Sequence, residues 1–181
     1  MSLLRATLRS GTAAGLAMIP FAAVFRGFGL RINEYGRKTL ELVVGDVASP
    51  LRDVLMFAQH LLISWVAAVP LLLVLARIAG RRQRILVGAG YGAGFYVAMN
   101  SLALPLAFGD PTPWQLGAMT VLPSLTVHLV YGVVLALVAP ARAQSSSATR
   151  RSLSALPITL TDDSDIAAAA STGDGRMPNH G

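Results

Sequence analysis

Apolar positions gather into four stretches along the chain, at about 10–30, 54–79, 85–108 and 114–139. A helix needs about 20 mostly apolar residues to cross a hydrocarbon core about 30 Å thick, so each stretch is long enough to span. The second carries no formal charge before Arg77, and the third and fourth carry none. The first is the weakest, because its strongly apolar part stops at Phe25 and Arg26 follows. The pattern predicts an all-α integral membrane protein. Residues 1–140 would form four transmembrane helices in a small antiparallel bundle, followed by a polar tail over 141–181.

Local signals mark the ends. Ser49-Pro50 reads as an N-cap followed by proline at the first helical position, where the missing N–H costs little. Gly80 reads as a stop after Ala79, beside Arg77, Arg81 and Arg82, which suit the negative end of a helix. Thr112-Pro113-Trp114-Gln115 has the spacing of a capping box opening the fourth span, which should end before Pro140. The turn Gly109-Asp110-Pro111 is short, making spans three and four antiparallel neighbours. Trp114 and Tyr35 read as interfacial anchors.

Two segments lie outside the spans. In the first loop, Leu40, Val43, Val44, Val47 and Leu51 follow one helical face, with Glu41 and Asp46 away from it. This predicts a short amphipathic helix at the outer membrane surface, weakened by Gly45. The tail from 141 is small and polar and lacks the apolar surface to order itself, predicting a disordered cytoplasmic end that includes His180.

Composition agrees with a membrane class: 54% of the 181 residues are apolar and 13% charged, against about 25% charged in soluble domains. The absence of cysteine excludes disulfides, thiolate metal sites and cysteine catalysis. The net charge of +6 does not point to nucleic acid, because the basic residues flank apolar runs rather than forming one patch. Ten basic residues fall in the N-terminus, second loop and tail, five in the first loop and none in the third. The positive-inside rule then places both termini in the cytoplasm. Arg5, Arg9 and the apolar run after Gly11 could also form a cleavable signal, but no A-x-A pattern follows, which favours a retained helix.

Small and polar residues inside the spans are the candidates for packing and chemistry. Gly88, Gly90, Gly92 and Gly94 form two overlapping GxxxG pairs, and Gly11 and Gly15 a third, predicting close helix approach. No Lys-Ser/Thr follows them, so they are not read as a phosphate loop. His60 and Ser64 share a face of the second span, Gly92, Tyr96 and Asn100 of the third, and Thr120, Ser124, His128 and Gly132 of the fourth, with Tyr131 adjacent. Counting 1.5 Å per residue from the outer surface puts His60 and Asn100 roughly 8 Å deep and His128 roughly 18 Å deep, near Tyr96. The expected pairs are His60 with Asn100 and His128 with Tyr96. Such polar groups either bond neighbouring helices together or relay protons. Two histidines separated by about 10 Å in depth do not share one metal ion, and neither a metal site nor another cofactor is read from the chain. No carboxylate lies inside a span, which counts against a conventional ion-coupled transporter.

The stretch from about Phe57 to Arg142 resembles the YagU-type inner-membrane proteins of bacteria. The residues carrying the resemblance are His60, the segment Asn100-Ser101-Leu102-Ala103-Leu104-Pro105-Leu106, Pro113-Trp114 and His128-Leu129-Val130-Tyr131. It implies a bacterial inner-membrane location and no established activity. The expected function is that of a non-enzymatic envelope or stress-related membrane component. Its expected partners are membrane lipids and a second copy or another membrane protein. The alternative is a small channel or carrier, of which a proton-linked one is a case, lined by the polar faces of spans two to four. An integral membrane enzyme or haem protein is a third class.

Overall fold

A computed structural model of the chain describes residues 2–30, 32 and 35–140. The predicted tail, with His180, lies outside the described residues. Helices α1 (Leu3–Gly27), α2 (Tyr35–Val44) and α3 (Ser49–Leu75) are followed by α4 (Arg81–Phe95). That helix continues through a π-helical segment (Tyr96–Ala103) into α5 (Leu104–Phe108). A single turn, α6 (Pro113–Leu116), precedes α7 (Ala118–Val138). Four continuous helices are long and apolar enough to cross a membrane: Leu3–Gly27, Ser49–Leu75, Arg81–Phe108 and Ala118–Val138. This is a multi-pass membrane protein of the all-α class. Large apolar side chains such as Leu62, Val66, Leu86, Leu106 and Met119 stay exposed along these helices, as a surface facing lipid tails requires.

Several ends differ from their sequence signals. Ser49 lies inside α3, whose N-cap is Ala48 with no side-chain hydrogen bond. Gly80 has φ −77° and caps the start of α4 instead of stopping α3, which already ends at Leu75. The Thr112 N–H donates to Gln115 Oε1 at 2.8 Å, so that capping contact forms, but it caps only the α6 turn. Gly117, at φ +92°, then breaks the chain before α7. The amphipathic helix of the first loop exists as α2, but its buried residues are Tyr35 and Leu40. Gly45, at φ +81°, ends it, so the predicted face is cut short and Val43 is 76% exposed.

Around the bundle, α4 packs most closely on α7, α7 on α1, and α1 on α3. The backbone of α3 stays farther from α4 and α7, which it meets through side chains. Lipid supplies no hydrophobic drive between helices, and close approach depends on small residues. A Cβ on Gly92 would overlap the His128 carbonyl, and one on Gly88 would lie 2.8 Å from Ala136 Cβ. Gly132 meets the Gly88 carbonyl from the other side. At the α1–α3 crossing, a Cβ on Gly15 would fall 2.6 Å from Ser64 Oγ, and one on Gly11 3.0 Å from the Trp65 ring. Gly90 and Gly94 face open space. Displaced two residues from Gly88 and Gly92, they lie on the opposite side of a 3.6-residue helix, and their assignment to packing is corrected.

The buried apolar core fills the half of the bundle that holds the start of α1 and the end of α7, its terminal half. Ala68, Leu71, Leu72 and Leu75 of α3 meet Leu135, Ala136 and Ala139 there, with Ala6 and Ala14 of α1.

Candidate functional site

The half of the bundle nearest the first loop is open. A cleft of about 850 Å³ separates α1 and α3 from the π segment and α7, and α2 lies across its rim. Arg26, Ile32, Tyr35, Gly36, Arg37 and Thr39 line it at the first-loop end, while Ser64, Ala67 and Tyr131 line its deepest part.

The floor is built by long polar side chains that reach across the gap. Tyr131 Oη donates to the Ser64 carbonyl at 2.6 Å, tying α7 to α3. Tyr91 Oη donates to the Ala67 carbonyl at 2.6 Å, tying α4 to α3 one turn further on. Backbone carbonyls of α3 become acceptors for side chains exactly where backbones are too far apart to touch, a feature that closes the cleft on the side of the apolar core.

The wall carries the imidazoles. His128 Nδ1 lies 2.6 Å from the Ser124 carbonyl, and its Nε2 lies 2.8 Å from Asn100 Nδ2. A carbonyl can only accept and an amide nitrogen can only donate. Nδ1–H therefore donates to the Ser124 carbonyl, and the ring is held through both nitrogens. Phe95 and Tyr96 flank it, with ring centroids 6.0 and 5.6 Å away. His60 Nε2–H donates to the Gly15 carbonyl at 3.0 Å. This bond joins α3 to α1 beside the glycine that lets the two helices approach.

Of the two expected pairs, His128 does meet Tyr96, but Asn100 bonds to His128 instead of His60, and His60 bonds to α1. Two local departures from an ideal helix explain the correction. The fourth span starts at Ala118 instead of Trp114, which moves His128 one turn nearer the first-loop end. In the third span, Leu104 N–H bonds to the Met99 carbonyl, five residues back, just before Pro105. Pro105 has no N–H and crowds the carbonyl of Ser101, so the turn widens and the simple i, i+4 row ends there. Tyr96 is buried, its hydroxyl unbonded among the described residues, against Trp114 at a centroid distance of 6.3 Å. Trp114 therefore packs on the π segment while half exposed, and Tyr35, read as an interfacial anchor, is buried and stacked on Phe108 at 5.7 Å.

His60, Ser64, Asn100, Ser124, His128 and Tyr131 all line the one cleft, and Tyr96 backs its wall. No group of three His, Asp or Glu side chains able to hold a metal ion occurs among the described residues. Four residues escaped the sequence reading. Tyr91 looked like part of a glycine row. Arg26 and Arg37 looked like loop charges. Arg84 is buried and donates to the Ala139 carbonyl at 2.8 Å and the Pro140 carbonyl at 3.2 Å, capping α7. Antiparallel spans three and four bring residue 84 opposite residues 139–140, so its role was within reach of the topology.

No family model, no curated protein and no solved structure matches the chain.

Proposed function

We propose that this membrane protein is a non-enzymatic component of a bacterial inner membrane, of the YagU type, with both termini in the cytoplasm. In this reading it receives a ligand into the cleft from the outer side and does not conduct it across. One observation carries the reading: the cleft reaches the first-loop end, while Tyr131 and Tyr91 bridge its other end to α3. His128, bonded through both ring nitrogens, supports a positioning role for the polar wall over a proton relay.

The chain has no cysteine, so a single Ile63→Cys in the cleft can be followed without background. A membrane-impermeant maleimide should label it in spheroplasts and leave it unmodified in inverted vesicles. Labelling from both sides would replace this reading with a conducting one. Reporter fusions at Arg142 and Pro111 should lie on opposite sides of the membrane, and a cytoplasmic Pro111 would overturn the orientation. A proton-linked carrier is the second reading, favoured by His60, whose Nδ1 makes no hydrogen bond among the described residues.

A further inference from the structure

Arg26 weakens the first span as a membrane segment, yet the helix runs through it to Gly27. A cation in the last turn is favourable to the helix itself. That does not account for its neighbour: Arg37, from α2, lines the same end of the cleft. Arg37 approaches Glu41 at 3.4 Å, but both side chains are about half exposed and such a pair is weak. Arg26 makes no ion pair among the described residues. Lys38, the next residue along α2, is held by Asp110. Two guanidinium groups from separate elements therefore stand at the rim of a cleft whose walls include Ile19, Met56, Phe95 and Met99.

We propose that the cleft binds a single-chain amphiphile with an anionic head, its carboxylate or phosphate at Arg26 and Arg37 and its alkyl chain along the apolar wall. The proposal rests on reading the cleft as a binding site. Guanidinium forks match the planar oxygens of carboxylates and phosphates, which fits the head. The volume of about 850 Å³ falls within the range of small-molecule sites, about 300–1,000 Å³, which fits one chain. From Met56 to Ala67 the α3 wall is roughly 16 Å long at 1.5 Å per residue, enough to take an extended alkyl segment. On the wall His128 and Asn100 bond one another, and at the floor Tyr131 bonds the Ser64 carbonyl, so the chain meets polar groups that already have partners.

The test uses the full chain in phosphatidylcholine nanodiscs with a diazirine-bearing palmitate as photoprobe. Palmitate, lysophosphatidate, methyl palmitate and hexadecyltrimethylammonium serve as competitors. Crosslinks should map to α1, α3 and the π segment around the cleft. One or both anions should compete at least about tenfold better than the ester or the cation, as a charge-assisted bond implies. Whichever anion is stronger identifies the carboxylate or the phosphate as the head. Combining Arg26→Gln with Arg37→Gln should remove that advantage and leave competition by the ester unchanged. If the ester is lost too, Arg26→Lys with Arg37→Lys must restore the anion preference. Equal competition by all four molecules, with crosslinks in the cleft, would overturn the anionic head and leave the cleft reading intact. Crosslinks elsewhere, or crosslinks unchanged by a cleft-filling Ala22→Trp, would overturn both.

Discussion

The terminal half of the bundle is closed and the first-loop half is open, although the same four helices build both. In the closed half, Gly88 and Gly132 bring α4 and α7 into backbone contact, and leucines fill the space beside them. In the open half, α3 is held away from α4 and α7, and two tyrosine side chains do the bridging. Helices in lipid come together where side chains are small and separate where a polar side chain must be accommodated. The cleft follows from where glycine gives way to Tyr96 and Asn100 along the third span and to His128 along α7, and needs no separate domain.

The strongest test of that contrast is to remove the close approach. Gly92→Leu places a side chain against the backbone at His128, where no flexible group can yield. It should destabilise by about 3 kcal/mol or more, the upper end of overpacking costs. Gly90→Leu, two residues away in open space, should be nearly neutral. Thermal unfolding in detergent, with gel filtration for assembly, compares them directly. Equal midpoints would show that the glycine contact does not hold the closed half together.

The next effect acts at the end of the closed half. Arg84→Leu leaves the last carbonyls of α7 without their cationic donor, and buried carbonyls lose about 1–3 kcal/mol in that situation. Arg84→Lys should recover only part, because one ammonium cannot copy a forked contact to two carbonyls. Hydrogen exchange at the C-terminal turn of α7 would localise the loss. An effect spread evenly over all four helices would argue against a capping role.

How much of this was legible beforehand differs between the two halves. The four spans were readable because each is long and nearly free of charge. Gly88, Gly92, Gly11 and Gly15 stood out because a GxxxG spacing carries its own geometry. The cleft residues His60, Ser64, Asn100, Ser124, His128 and Tyr131 were readable as polar groups in apolar segments. Their pairing was not readable, because it depends on a π segment before Pro105 and a break at Gly117, and counting residues assumes an uninterrupted helix. Gly90 and Gly94 carried the same spacing as their neighbours with nothing opposite them. A motif does not say which face another helix will choose.

The floor of the cleft gives a smaller effect. Tyr131→Phe removes one bond from α7 to the Ser64 carbonyl and changes little else. Interhelical bonds of this kind contribute about 0.6–1.7 kcal/mol in membranes. Tyr91→Phe should cost about as much, and the double variant should lose at least the sum of the two if both hold α3 at the same gap. Maleimide labelling of Ile63→Cys from the terminal side should rise in the double variant if these bonds seal the floor. Unchanged labelling would mean that the apolar core beyond them is the seal.

The smallest effect on stability should come from the element across the rim. Helix α2 is fastened to the far side of the cleft by Lys38 with Asp110 and by Tyr35 stacked on Phe108. The Lys38 side chain is 42% exposed and that of Asp110 27%, so solvent screens the pair, and its contribution should be about 0–1 kcal/mol. Asp110→Asn should therefore scarcely move the unfolding midpoint. Its position makes it informative all the same. The next anchor, the Tyr35–Phe108 stack, lies on the same side of α2, and glycines with positive φ stand at Gly29 before the helix and Gly45 after it. Loosening one end of a helix bounded by such turns should increase its motion without disturbing the bundle beneath. Hydrogen exchange over Tyr35–Val44 should accelerate in Asp110→Asn while exchange in α4 and α7 stays the same. Raising the salt concentration should produce the same change in the unaltered protein, because an exposed pair is screened within about 10 Å at 0.1 M salt. Uniform protection of α2 in both experiments would show that Tyr35 and Leu40 hold it by burial alone.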